Sequence, residues 1–401
     1  MQCLKCLSQR SSKYSNSFSR ILIFSSSNQN QNDKKLRILS PYLHLRQTDI
    51  ASCTRSISSS KVLSTSGSAE PSNTHKKEHD GSLPGRISIR NKMDKQTKEN
   101  FDKKVVEVAE ELKKCVTFVN RDLLVINKKH GVSVYGKISE HIDSSSKTEA
   151  SSVVECLPYL KKIYNSPELD VGLSIKSFYT GVLLLTRSSD SKTKLAKVLA
   201  SVATQQIQFM KYLVITVGVP QCPHATPLEA FIKRKYLHAR ELSIVNSKDV
   251  HMARKNGMMI HTNYTVKPLV VNTELGVALV EVSVDKDKWE SVEVLMSHHL
   301  SPVLGDHVYS RRAYSLMGVT LAANPYSTPP AIQKLPKALE ECLRSKGHMT
   351  DGKQMPLFMH RHKVTLSKFK RDSSLVIQAK PDGEFLQVLQ SLNLYDPNVF
   401  T

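Results

Sequence analysis

Ser174-Ile175-Lys176-Ser177-Phe178-Tyr179-Thr180-Gly181-Val182-Leu183-Leu184-Leu185-Thr186 joins a mostly polar loop to an unbroken apolar run. The run from Gly181 to Thr186 is strand-sized, and its bounds predict a β-strand rather than a helix. Immediately downstream, residues 190–204 carry Leu195, Val198, Leu199 and Val202 at helical spacing with Lys on the outer face, which predicts a helix. Upstream, Val116-Thr117-Phe118-Val119 and Leu123-Leu124-Val125-Ile126 predict two strands about the turn Asn120-Arg121-Asp122. Further strands are expected at Tyr212–Val219, Ala278–Val284, Glu290–Met296 and Leu375–Ala379, with a last helix at Glu384–Leu392. Strands and helices mixed in this irregular order predict an α+β domain over residues 116–401, built on a largely antiparallel sheet.

The chain ahead of that domain reads differently. Arg10, Lys13 and Arg20 all precede the first acidic residue, Asp33, and serine recurs from Ser11 to Ser27. A basic, Ser-rich, acid-poor start predicts an organelle-import leader over residues 1–60. A disordered basic arm on a cytosolic protein is the alternative. Residues 61–100 stay polar, with Lys76-Lys77, Pro71, Gly81, Pro84 and Gly85, and read as a linker. Phe101, Val105, Val106, Val108, Leu112 and Val116 predict one amphipathic helix over 101–118, so that 61–115 is expected to be linker and leading helix.

Composition narrows the class of function. The chain has 401 residues, 57 Lys+Arg and 36 Asp+Glu, a formal net charge of +21. That excess points to a polyanionic partner, nucleic acid first. No apolar run approaches the ~18–20 residues needed to span a bilayer as a helix. The seven cysteines are odd in number and scattered, as in a reducing compartment. Cys3 and Cys6 form a CxxC without a second pair, and His298-His299 has no further ligands at zinc spacing, so no metal is expected. No Walker loop or GxGxxG motif is present, and no cofactor is expected.

Several segments in order match one known family. Phe118-Val119-Asn120-Arg121-Asp122-Leu123-Leu124-Val125-Ile126-Asn127-Lys128 with Gly131 resembles the opening strand pair of the RluA-type pseudouridine synthases. Ser174 to Leu185 is similar to their catalytic loop and strand, H-R-L-D-x-x-T-S-G-L-L-L. Lys211-Tyr212-Leu213 lies in the segment similar to their K-x-Y element. Pro302-Val303-Leu304-Gly305-Asp306 with Tyr309 resembles P-x-x-G-D-x-x-Y, and Met359-His360-Arg361 stands where an L-H-A element is expected. The resemblance covers about residues 118–395. It implies the pseudouridine synthase fold, a mixed, largely antiparallel sheet whose central cleft takes RNA. With the import leader, it comes nearest to the animal mitochondrial mRNA pseudouridine synthase-like proteins.

The family's chemistry begins with an ionised aspartate that attacks the nucleoside, held charged by an arginine, while a tyrosine packs on the flipped base. Counting back from Gly181 puts Lys176 at the aspartate's position, and an ammonium cannot form the adduct. Asp287-Lys288-Trp289-Glu290-Ser291-Val292-Glu293 stands where the family has G-R-T-H-Q-I-R, so Glu293 takes the arginine's position. The expectation is an ion pair with its signs exchanged, Lys176 with Glu293, beside Tyr212 at the tyrosine position. Otherwise Lys176 is a solvated loop residue and Glu293 a strand-edge carboxylate. Glu168, Asp170 and Asp190 are expected at the surface, too far along the chain to replace the nucleophile.

Basic residues interleaved with aromatics predict the RNA contacts: Lys211, Lys233, Arg234, Lys235, Arg311, Arg312 and Arg361, with further runs at Arg254-Lys255 and Lys363 to Arg371. Two functions follow. One is a mitochondrial pseudouridine synthase acting on mitochondrial mRNA or rRNA, as the resemblance implies. The other is a non-catalytic RNA-binding protein of the mitochondrial matrix that assists ribosome assembly or RNA stability, partnered by mitochondrial ribosome or RNA-granule proteins.

Overall fold

β5, Met210–Val217, is apolar at nearly every position, which a strand can satisfy only if both of its faces are buried. Tyr212 and Val214 enter one hydrophobic cluster, while Leu213 and Ile215 enter a second on the opposite face. The computed structural model describes residues 95–136, 152–246, 259–348, 355–370 and 373–400. The chain divides into units Met1–Glu70 and Pro71–Thr401, and the described residues all belong to the second. The expected leader and most of the linker, the Cys3–Cys6 pair, Arg254-Lys255 and Arg371 lie outside the described residues.

The described elements run α1 (Lys95–Lys114), β1 (Val116–Val119), β2 (Leu123–Lys128), α2 (Val153–Ile163), β3 (Asp170–Leu173), β4 (Thr180–Thr186) and α3 (Ser189–Gln205). After β5 come β6 (Leu228–Leu237), β7 (Arg240–Asn246), β8 (Met259–Asn272), β9 (Val277–Val284) and α4 (Ser291–His298). β10 (Ala313–Leu316), β11 (Val319–Ala322), α5 (Lys337–Ser345), β12 (Met359–Lys370), β13 (Ser373–Gln378) and α6 (Gly383–Ser391) complete the fold.

Eleven strands form one sheet in the order β1-β2-β4-β12-β5-β9-β8-β6-β7, with β3 added to β4 and β13 to β12. Among the described strands of this sheet, only β12 and β4 run parallel to each other and every other pair is antiparallel. The fold is thus α+β with a largely antiparallel sheet. Helices α1 to α4 contribute to the core on one face, through residues such as Leu112, Leu160, Leu195 and Leu295. Leu339, Leu343, Phe385 and Leu389 from α5 and α6 cover the other.

Most predicted elements stand within two residues of their expected bounds, and two do not. The leading helix begins at Lys95 and ends at Lys114, not at residue 118. Glu290–Met296, expected as a strand, is instead most of helix α4, whose residues Ser291 to Ser297 are all buried. A short segment buried all round carries no polar face, so neither the two-residue nor the 3.6-residue period is visible in it.

Candidate functional site

The loop from Ser174 to Tyr179 is held in place from below. Its strand, β4, lies beside β12 with Gly181 opposite Arg361. Gly181 has φ +108°, and a Cβ there would meet the Arg361 carbonyl oxygen at 2.3 Å, so only glycine fits. Arg361 is 1% exposed. Its Nε donates to Val182 O at 2.9 Å and its Nη2 to Ser174 O at 2.9 Å. Lys128, fully buried, donates through Nζ to Ser177 O and Lys129 O, both at 2.9 Å. Burial pushes the Lys128 ammonium down to about 7, with the neighbouring Arg361 charge acting in the same direction. His360 Nδ1 meets Thr180 Oγ1 at 2.8 Å and its Nε2 meets Ala379 O at 3.0 Å. Burial holds this imidazole near 4, so it is neutral at pH 7; donation from Nε2 to the carbonyl then leaves Nδ1 to accept from the threonine.

Lys176 sits on top of this support. Its Nζ donates to Tyr179 Oη at 2.7 Å, and Tyr179 Oη donates to Glu293 Oε1 at 2.5 Å. Lys176 also pairs with Asp287 Oδ1 at 3.5 Å, and Tyr212 Oη donates to Asp287 Oδ2 at 2.6 Å. One network therefore links the two buried carboxylates and the two buried tyrosines to the partly exposed Lys176 ammonium. Burial works against the Lys176 charge, but Glu293, Asp287 and Glu290 outweigh it and hold the ammonium above its ordinary value. Burial pushes Glu293 up to about 7 even against the pull of Lys176. Burial, then the adjoining carboxylates, hold the Tyr179 and Tyr212 hydroxyls protonated. Asp287 Oδ1 and Glu293 Oε2 are buried without a hydrogen-bond partner.

The structure brings together Lys176, Tyr212 and Glu293, the three residues expected at the site. Their linkage differs from the expectation. Lys176 and Glu293 do not pair directly; Tyr179 stands between them, and the acid in direct ion-pair contact with Lys176 is Asp287. Tyr179 and Asp287 were not expected here, although both lie inside the motif segments. The turn before α4 explains Asp287's position. Trp289 and Glu290 both adopt left-handed φ, +58° and +50°. That turn folds the chain sharply between Asp287 and Glu293, bringing both carboxylates to Lys176, and left-handed geometry at non-glycine residues costs roughly 1–3 kcal/mol each. The Arg234 guanidinium lies 5.8 Å from the Trp289 ring centre and 3.9 Å from Glu290, and Tyr309 Oη donates to Glu290 at 3.3 Å.

The expected RNA-contacting cations fall into two groups. Arg361 is buried and spends its guanidinium on the loop carbonyls. Arg312, 8% exposed, donates to Ser243 O at 2.6 Å and lies over the Tyr309 ring. These two are internal braces, because their planar, multi-donor heads can satisfy main-chain carbonyls that water cannot reach. Lys211 pairs with Glu281 at 2.7 Å and Arg234 with Glu241 at 2.7 Å. Lys233 donates to Asn246 Oδ1 at 3.1 Å. Lys235 is exposed over the Tyr326 ring, and Arg311 is exposed. Tyr236, 74% exposed near the end of β6, is a further exposed aromatic ring. His299 Nε2 is joined to Tyr264 Oη at 2.8 Å, and no group of three metal-ligating side chains occurs among the described residues. No described helix is long and apolar enough to cross a membrane.

No family model matches the sequence. Mitochondrial mRNA pseudouridine synthase RPUSD3 from Homo sapiens is 25% identical over 294 residues, covering 72% of this chain and 78% of that one. Pseudouridylate synthase RPUSD4, mitochondrial, from Danio rerio is 25% identical over 301 residues, covering 71% and 75%. Among solved structures, human RNA pseudouridylate synthase domain containing 4 superposes with a TM-score of 0.54 at 21% identity, covering 74% of this chain and 100% of that one. That likeness carries the fold, and the order of the motif segments agrees with it. In sequence and in fold alike, the chain is similar to mitochondrial pseudouridine synthases.

Proposed function

We propose that this protein binds RNA in mitochondria on a pseudouridine synthase scaffold whose isomerase step has been lost. One observation carries the reading. The position of the nucleophilic carboxylate holds the Lys176 ammonium, locked between Asp287 and the Tyr179–Glu293 pair, with Tyr179 and Tyr212 fully buried beneath it. A tyrosine with no exposed surface offers no face for a flipped uracil, and an ammonium forms no glycosyl adduct. The excess of basic charge and the exposed Lys235, Tyr236 and Arg311 support RNA contact outside that closed centre. The mitochondrial matrix, with mitochondrial mRNA or rRNA and their ribosome or granule proteins as partners, is supported by the acid-poor first sixty residues and by the relatives' names.

A second reading has its own support. Asp287 Oδ1 is unbonded, faces a cation at 3.5 Å, and shares its carboxylate with Tyr212 Oη. Carboxylate, cation and tyrosine are thus all present, with the acid on the opposite wall. In that reading Asp287 attacks the nucleoside in place of residue 176.

Pseudouridine mapping of mitochondrial RNA, with the protein present, depleted, or replaced by Lys176→Asp or Asp287→Asn, separates the two. The proposed function predicts an unchanged map on depletion, together with RNA crosslinked to the unaltered protein. A pseudouridine lost on depletion, restored by the unaltered protein and not by Asp287→Asn, would overturn it in favour of the second reading.

A further inference from the structure

Two residues before β5, the chain passes a cavity of about 350 Å³ lined by Gln206, Gln208, Pro227, Leu228, Glu229 and Asn263. Gln208 is four residues from Tyr212, and Asn263 exchanges main-chain and side-chain bonds with Asp285, two residues before Asp287. The volume falls in the ~300–1,000 Å³ range of small-ligand sites.

The lining is dominated by amides whose mutual bonds fix which atoms remain free. Asn263 Nδ2 donates to Gln206 Oε1 at 2.9 Å, which leaves Asn263 Oδ1 buried with no partner. Thr265 Oγ1 donates to Gln208 Oε1 at 2.8 Å, which leaves the NH₂ of that amide as its donor. Glu229 adds a second acceptor at the rim, touching His261 Nε2 at 3.3 Å. Pro227 and Leu228 supply apolar surface. An oriented donor beside two acceptors, with an apolar wall, matches the edge and face of a nucleobase, since Asn and Gln amides read base edges in pairs. Two acceptors against one donor favour a base bearing an exocyclic amino group over uracil, whose single ring N–H would leave one acceptor unmatched.

We infer that this cavity holds one unstacked, amino-bearing nucleobase of a bound single-stranded RNA. The inference rests on the RNA-binding reading and goes beyond it, because it gives the protein a base preference away from the Lys176 centre.

The test is fluorescence anisotropy of the full chain with labelled 12-nucleotide oligo(C) and oligo(U), which differ at the C4 amino group. The unaltered protein should bind oligo(C) about tenfold more tightly, the scale of one well-matched amide contact. Asn263→Ala should bring that preference within twofold. Gln208→Ala, in a connecting segment, should do the same and guards against a folding defect in the first variant; thermal unfolding checks both. Equal binding of the two oligomers by the unaltered protein, or a preference that survives both substitutions, would show a merely hydrated polar cavity. Failure of the unaltered protein to bind either RNA would overturn the RNA-binding reading itself, a distinct result.

Discussion

At the scale of single residues, the closed centre is governed by one ammonium shared between two acids. Positions 176 and 293 were legible because the glycine-led strand and the seven-residue segment fix their register. Asp287 was not, because linear spacing does not reveal the two left-handed residues that fold the chain back toward β5. Nor did it reveal Tyr179, which is unremarkable in the loop until its hydroxyl is found between charges. Glu293 gives a pH-dependent consequence. Burial raises its pKa from 4.5 to about 7, so between those values the folded state binds more protons than the unfolded one. Stability from this group is therefore full below pH 4.5 and is lost as pH rises toward 7. Asp306, raised to about 6, acts in the same sense, whereas His130, His299 and His360, each held near 4 by desolvation, act in the opposite one. A comparison with Glu293→Gln cancels those other groups. The variant should gain on the unaltered protein by up to about 3 kcal/mol as pH rises from 4.5 to 7, read by urea unfolding at each pH. A constant gap across that range would show that Glu293 stays charged throughout.

At the scale of elements, strands with a strong apolar run were legible and those defined by pairing were not. β4 and β5 announce themselves by composition. β12 reads Met359-His360-Arg361-His362-Lys363, a polar stretch, and becomes a central strand because three of these polar heads find partners inside the fold. His360 bonds Thr180 and Ala379, Arg361 bonds the loop carbonyls, and His362 faces Glu281 at 3.2 Å. The parallel step between β4 and β12 depends on contact at Gly181, where the approach of the Arg361 main chain leaves no room for a methyl group. Gly181→Ala should therefore cost at least about 4 kcal/mol in urea unfolding, combining a backbone clash with an unfavourable φ. Gly383→Ala at the start of α6 is the matched control. Nothing lies within 4 Å of its added Cβ and its φ is ordinary, so the change should be neutral or stabilise by up to about 1 kcal/mol. Equal losses in the two variants would mean that the close approach of β4 and β12 is not what Gly181 serves.

At the scale of the whole molecule, the net charge of +21 was legible at once, but its distribution was not. A basic residue within an RNA-binding fold looks the same in sequence whether it faces phosphate or the protein's own carbonyls. The structure separates them by burial: Arg361, Arg312 and Lys128 are inside, while Lys235 and Arg311 are outside. These groups should differ in the salt dependence of RNA affinity. Each surface cation that neutralises a phosphate releases condensed counterions and adds roughly 0.7 to the slope of log affinity against log salt for single strands. Lys235→Ala and Arg311→Ala should each lower the measured slope by about that amount and leave the unfolding midpoint unchanged. Arg361→Met should do the reverse, keeping the slope and lowering the midpoint, because it strips charged donors from Ser174 O and Val182 O. An unchanged slope in both surface variants would move the RNA track away from the β6 and β10 side of the protein.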